Sequence, residues 1–74
     1  MTNQNSLIKY HILLNNNTKN SEVEDCAETI KQIIDPTGGL IIQAMPSFQM
    51  IVIKATKEAV EEIRKLPFVT SVCK

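Results

Sequence analysis

Few residues in this chain are equipped for chemistry, and their spacing limits what they can do. Cys26 and Cys73 are the only cysteines among the 74 residues, and His11 is the only histidine. A structural zinc site needs four ligands and a redox pair needs C-x-x-C spacing, so neither is encoded. The thiols read as free, the state a reducing cytosol maintains, since a small secreted domain stapled by disulfides carries more cysteines. A nucleophilic thiol needs a base beside it, and the linear order sets none next to either one. Cys26 reads as a small helix residue near the core and Cys73 as an exposed thiol. His11 lies mid-strand beside Lys9, with no serine partner. Glu61 and Glu62 are adjacent on a helix and point different ways, which suits a solvated face better than a general acid-base pair. Gly38 and Gly39 are the only glycines, and they precede a strand, whereas a phosphate-cradling loop opens a helix. The residues specify no reaction, metal or cofactor, and the expectation is a non-enzymatic protein.

Composition narrows the class further. Apolar residues make up 43% and charged residues 22%, and eight basic side chains balance eight acidic ones. Bulk charge therefore favours neither nucleic acid nor an anionic membrane. The longest apolar runs, Ile12–Leu14, Leu40–Ile42 and Met50–Ile53, fall far short of the roughly 20 residues that span a bilayer. Residues 1–6 (MTNQNS) are polar and uncharged, without a signal-like apolar core, and read as a disordered tail before a single domain over 7–74. The expected setting is cytoplasmic. At this length only roughly 60% of the unfolded surface can be buried, so the core is thin.

The elements that position these residues follow from periodicity and punctuation. Leu7 to Leu14 alternates Ile8, Tyr10, Ile12 and Leu14 against Lys9, His11 and Leu13, a period of two that predicts a strand. Asn15 to Asn20 is turn chemistry. Ser21 and Glu24 have capping-box spacing at the start of a helix whose stripe is Val23, Ala27, Ile30 and Ile34, widened by Cys26 and Ile33. Asp35-Pro36-Thr37-Gly38-Gly39 is expected to end that helix, because the residue before a proline avoids the α region and the glycines permit a reversal. Leu40–Met45 and Phe48–Lys54 predict two strands joined as a hairpin across Pro46-Ser47. Thr56 is placed to cap a second helix with Ala59, Val60, Ile63 and Leu66 inside and Glu61 spaced to pair with Lys65. Pro67 stops it, and Phe68–Cys73 is the last strand.

The order βαββαβ predicts an α+β, ferredoxin-like sandwich: two helices on one face of a four-stranded antiparallel sheet with strands one and three central. The other sheet face is left open. Lys9, His11 and Leu13 face it from strand one. From strand three it receives Gln49, Ile51 and Ile53, or alternatively Phe48, Met50 and Val52. Either choice leaves a partly apolar surface of the kind that binds partners.

The segment KATKEAVEEIRKLPFVTSV, with Leu66-Pro67 followed by Val69 and Val72, is similar to the end of the peptidase inhibitor I9 family, the propeptides of subtilisin-like proteases and their free-standing inhibitor relatives. The opening strand KYHILL resembles that family's first strand. The likeness spans nearly the whole domain, through short and degenerate motifs. It implies a docking module whose open sheet packs on a protease while a C-terminal tail lies along the cleft. Only Cys73 and Lys74 follow Val72, a reach of at most about 7 Å, and the acids the family often places after that valine are missing. Docking through the sheet, or chaperone-like help to a partner, is thus expected in preference to product-like inhibition. The candidate contacts are Lys9, His11, Leu13, Ile51, Ile53, Cys73 and Lys74, for a protein partner such as a subtilisin-like protease, on a monomer or weak homodimer.

Other families sharing the strand order fit less well. Arg64 is the only arginine and lies far from the loop where acylphosphatases hold phosphate. Tyr10 is on the core face, away from bases that an RNA-binding sheet stacks, and the C-x-x-C of metal chaperones is missing. A regulatory domain of the ACT type, which binds small ligands and dimerises, is the alternative. Its usual glycine after strand one is not found in the asparagine-rich loop.

Overall fold

The computed structural model describes residues 7–74; the tail expected over 1–6 lies outside them. The order is β1 (Ile8–Leu14), α1 (Asn20–Ile34), a 3-10 turn at Asp35–Thr37, β2 (Leu40–Met45), a 3-10 turn at Pro46–Phe48, β3 (Met50–Ala55), α2 (Lys57–Arg64) and β4 (Val69–Cys73). The strands form one antiparallel sheet ordered β2-β3-β1-β4. This is the expected ferredoxin-like arrangement, with β1 and β3 central. The core joins Tyr10, Ile12 and Leu14 of β1 and Ile51, Ile53 and Ala55 of β3 to Val23, Cys26, Ile30 and Ile34 of α1 and Ala59, Val60 and Ile63 of α2. Both helices thus cover the same side of the sheet.

Three details differ from the pattern reading. Helix α1 begins one residue before Ser21, with Lys19 at its N-cap. The Glu22 carboxylate, and not that of Glu24, accepts the Lys19 backbone N–H at 2.9 Å; a lysine side chain has no acceptor to return the bond. Helix α1 ends at Ile34, as expected, but Asp35 stays in the α region at φ −53° and ψ −47°, so the end does not come from the residue before Pro36 leaving that region. Pro36 instead falls in the first residues of the 3-10 turn, where a missing N–H costs nothing, and Gly38 makes the reversal at φ 83°. On α2, Lys65 pairs with Glu62 at 3.6 Å and Arg64 with Glu61 at 3.9 Å, both one turn back at i,i+3. The Thr56 hydroxyl accepts the Ala59 N–H at 3.2 Å and caps α2 as its position requires.

The asparagine-rich turn contains a clamp that periodicity does not reveal. Asn15 donates its backbone N–H to the Phe68 carbonyl (3.0 Å) and its Nδ2 to the Pro67 carbonyl (3.0 Å), while its Oδ1 accepts the Thr70 hydroxyl (2.7 Å). These three bonds hold the start of β4 against the end of β1, where the β1–β4 register shifts between Leu13 and Leu14.

Candidate functional site

The pleat sends alternate residues to opposite faces, so the register assigns the open face residue by residue. Ile8, Tyr10 and Ile12 of β1 lie opposite Ala55, Ile53 and Ile51 of β3. Ile51 and Ile53 are both 0% exposed and belong to the core under the helices. Neither can be a partner contact, which corrects the assignment of these two residues to the docking face. A signal was available: Lys54 shares parity with Met50 and Val52, and a lysine marks the solvent side of a half-buried strand.

The open face therefore has three rows. The first crosses Met45, Met50, Leu13 and Ser71; the second Gln43, Val52, His11 and Cys73; the third Leu40, Lys54 and Lys9. Val52 is buried yet lies outside the core cluster, so its neighbours on the open face cover it. Leu13, His11, Met45 and Met50 are half-buried, while Lys9, Lys54 and Cys73 are exposed. Lys74 is exposed just beyond β4. Of the candidate contacts, Lys9, His11, Leu13 and Cys73 thus share one surface, and Lys74 adjoins it. The contribution of β2 was not legible, because its bulge between Ile41 and Gln43 breaks the alternation.

Large apolar side chains are also exposed on β2 and in the turn after it. Leu40 is 48% exposed, Ile42 at the bulge 44%, and Phe48 in the hairpin turn 69%. Gln49 follows at φ 50°, a left-handed turn that re-aims the chain into β3. On the described helices, by contrast, every exposed residue is polar or charged.

The pairing also sets His11 directly opposite Cys73, where Cβ atoms stand about 5 Å apart. The histidine that the linear neighbourhood of Cys73 lacks thus occupies the facing position on the next strand. Cys26 is the opposite case. It lines a cleft of about 290 Å³ with Thr18, Glu22, Asp25, Thr29 and Phe68. Burial, and then the charges of Glu22 and Asp25, push its thiol above the ordinary value. Among the described residues no cluster of three or more His, Cys, Asp and Glu could hold a metal.

Both cysteines are free, Cys26 buried and Cys73 exposed. Ellman's reagent near neutral pH is expected to titrate Cys73 at once and Cys26 only in denaturant; equal rates would contradict the burial. Unfolding lets the Cys26 thiol ionise more easily. Its contribution to stability is intact below the ordinary value of 9.0 and is lost as pH rises from there through the higher folded value. Replacing Cys26 by alanine should flatten an alkaline unfolding profile over that window.

Fold and surface together define a small α+β domain of ferredoxin-like arrangement with one sheet face uncovered by its own helices. No family model, curated protein or solved structure significantly matches the chain. Among the described residues, no helix is long and apolar enough to cross a membrane.

Proposed function

We propose that the chain is a non-enzymatic protein-binding module that docks a partner through the open sheet face, in the manner of the I9 propeptides it resembles. The observation that carries this reading is the row Met45, Met50 and Leu13 above Val52, apolar side chains on the side of the sheet that neither helix covers. A face of this composition loses apolar area to water on association, at roughly 25 cal/mol per Å² gross. Both outer strands bear register shifts, on β2 at Ile41/Gln43 and between β1 and β4 at Leu13/Leu14. Bulges twist an edge away from pairing, which favours docking on the face over an ACT-type dimer formed through edge strands. A subtilisin-like protease is the partner class that the resemblance suggests.

Titration of the chain against subtilisin, read by binding and by residual peptidase activity, tests the proposal. Wild type should bind, Leu13→Asp should bind at least about tenfold more weakly, and Lys57→Asp on α2 should bind as wild type. Failure to bind subtilisin removes the protease as partner. Equal binding by both variants removes the open face.

A further inference from the structure

The neutral net charge conceals a separation between the two layers. All eight acidic residues lie on the helix side: Glu22, Glu24, Asp25 and Glu28 on α1, Asp35 in the turn after it, and Glu58, Glu61 and Glu62 on α2. No strand carries an acid. The strands carry Lys9 and Lys54, and Lys74 follows β4. Because β4 and β3 both run antiparallel to β1, these three lysines gather at one end of the sheet, the end where β1 begins. The helix side bears the other five basic residues against its eight acids. The molecule is thus a dipole across its thickness, positive on the open sheet.

Lys9 and Lys54 are directly opposite each other, and like charges so placed repel. No described acid shares their face to relieve them. Four residues along β1, at about 3.3 Å each, separate the lysine row from the Leu13–Met50 row by about 13 Å. From this geometry we infer that the open face takes an acidic protein segment, with carboxylates over Lys9 and Lys54 and an apolar anchor about 13 Å away on Leu13, Met50 and Met45. The inference rests on the open-face reading and adds the partner's charge and its orientation.

Other occupants fit the face less well. A phosphate polymer is held by many cations, and this face offers two lysines and His11, with no arginine and no aromatic residue in its three rows. A second copy would have to present its acidic helix side, where α1 and α2 expose no apolar residue for the Leu13–Met50 row.

Selection of random short peptides displayed on phage against the whole chain supplies probes without naming a partner. The recovered peptides should combine Asp or Glu with apolar residues. By fluorescence anisotropy, Lys9→Glu with Lys54→Glu should weaken them about tenfold, and salt should weaken them on wild type. Lys57→Glu should change nothing. Bound peptide should also protect Cys73 from iodoacetamide. Lys9→Glu alone sets opposite charges across the strands and should fold at least as well as wild type, which separates lost binding from lost structure. Binding lost in Leu13→Asp but indifferent to lysine reversal overturns the acidic partner and leaves the open face standing; indifference to both overturns both. Recovery of no peptide, or of peptides without acid enrichment, also overturns the inference. So does equal or tighter binding of polyuridylate or phosphatidylserine vesicles, or self-association that the lysine reversals abolish.

Discussion

Truncating Ile53 to alanine is expected to cost about 3 kcal/mol of folding stability, whereas Met50→Ala should cost under about 1 kcal/mol. The two residues lie on the same central strand, three positions apart, and differ in the face they occupy. Ile53 is 0% exposed, opposite Tyr10 and Ile41 and under the helices. Its truncation removes transfer free energy and leaves a cavity that neighbours such as Ile12, Ile51 and Ile63 cannot collapse into without strain. Met50 is half-buried on the open side, where water fills the space. For a domain of 74 residues, whose whole stability is on the order of 4–10 kcal/mol, the first loss is a large share. Urea unfolding monitored by circular dichroism, with unchanged m-values, measures both. Equal costs would mean the face assignment of β3 is wrong, and the proposed docking surface with it.

Gly39→Ala is expected to cost about 3 kcal/mol, more than the same change at its neighbour Gly38. A Cβ on Gly39 would stand 2.8 Å from Ile34 Cβ, 2.8 Å from the Lys54 carbonyl oxygen and 3.2 Å from the Ile34 carbonyl oxygen. None of these is the free end of a flexible side chain. Gly39 also donates its N–H to the Ile34 carbonyl at 2.9 Å, so the chain enters β2 pressed between the end of α1 and β3. Retreat from the clash would break the Leu40–Lys54 pairing. Gly38 has open space around it and is held only by its φ of 83°; alanine there should cost about 1 kcal/mol through backbone strain alone. Thermal or urea unfolding of the two variants gives the comparison. A smaller loss for Gly39→Ala than for Gly38→Ala would show that the α1–β2 junction can open without harm.

How much of this was legible varies with the range of the interaction. Alternation in β1 placed Tyr10, Ile12 and Leu14 inside because polar Lys9 and His11 occupy the other parity. The α1 stripe and the Thr56 cap are likewise contacts within one or two turns. Strand β3 is apolar from Met50 to Ile53, so period-two patterning alone left its faces ambiguous; pairing with Tyr10 and Ile12 resolved it. The start of α1 moved because a backbone N–H at Lys19 finds the Glu22 carboxylate, a competition among neighbouring acids that spacing does not rank. The Asn15 clamp joins residues more than fifty positions apart, and nothing local encodes it.

The amino-acid order by itself determined the succession of strands and helices, the two apolar helix stripes and the βαββαβ topology, since each follows from side-chain periodicity and from connections too short for other routes. Only the tertiary structure decided which isoleucines are core, which thiol meets a histidine, and where the charge goes. A sum over the chain is zero regardless of folding. Packing two amphipathic helices on one side of a sheet turns their acidic outer faces away from it and leaves Lys9 and Lys54 together on the other.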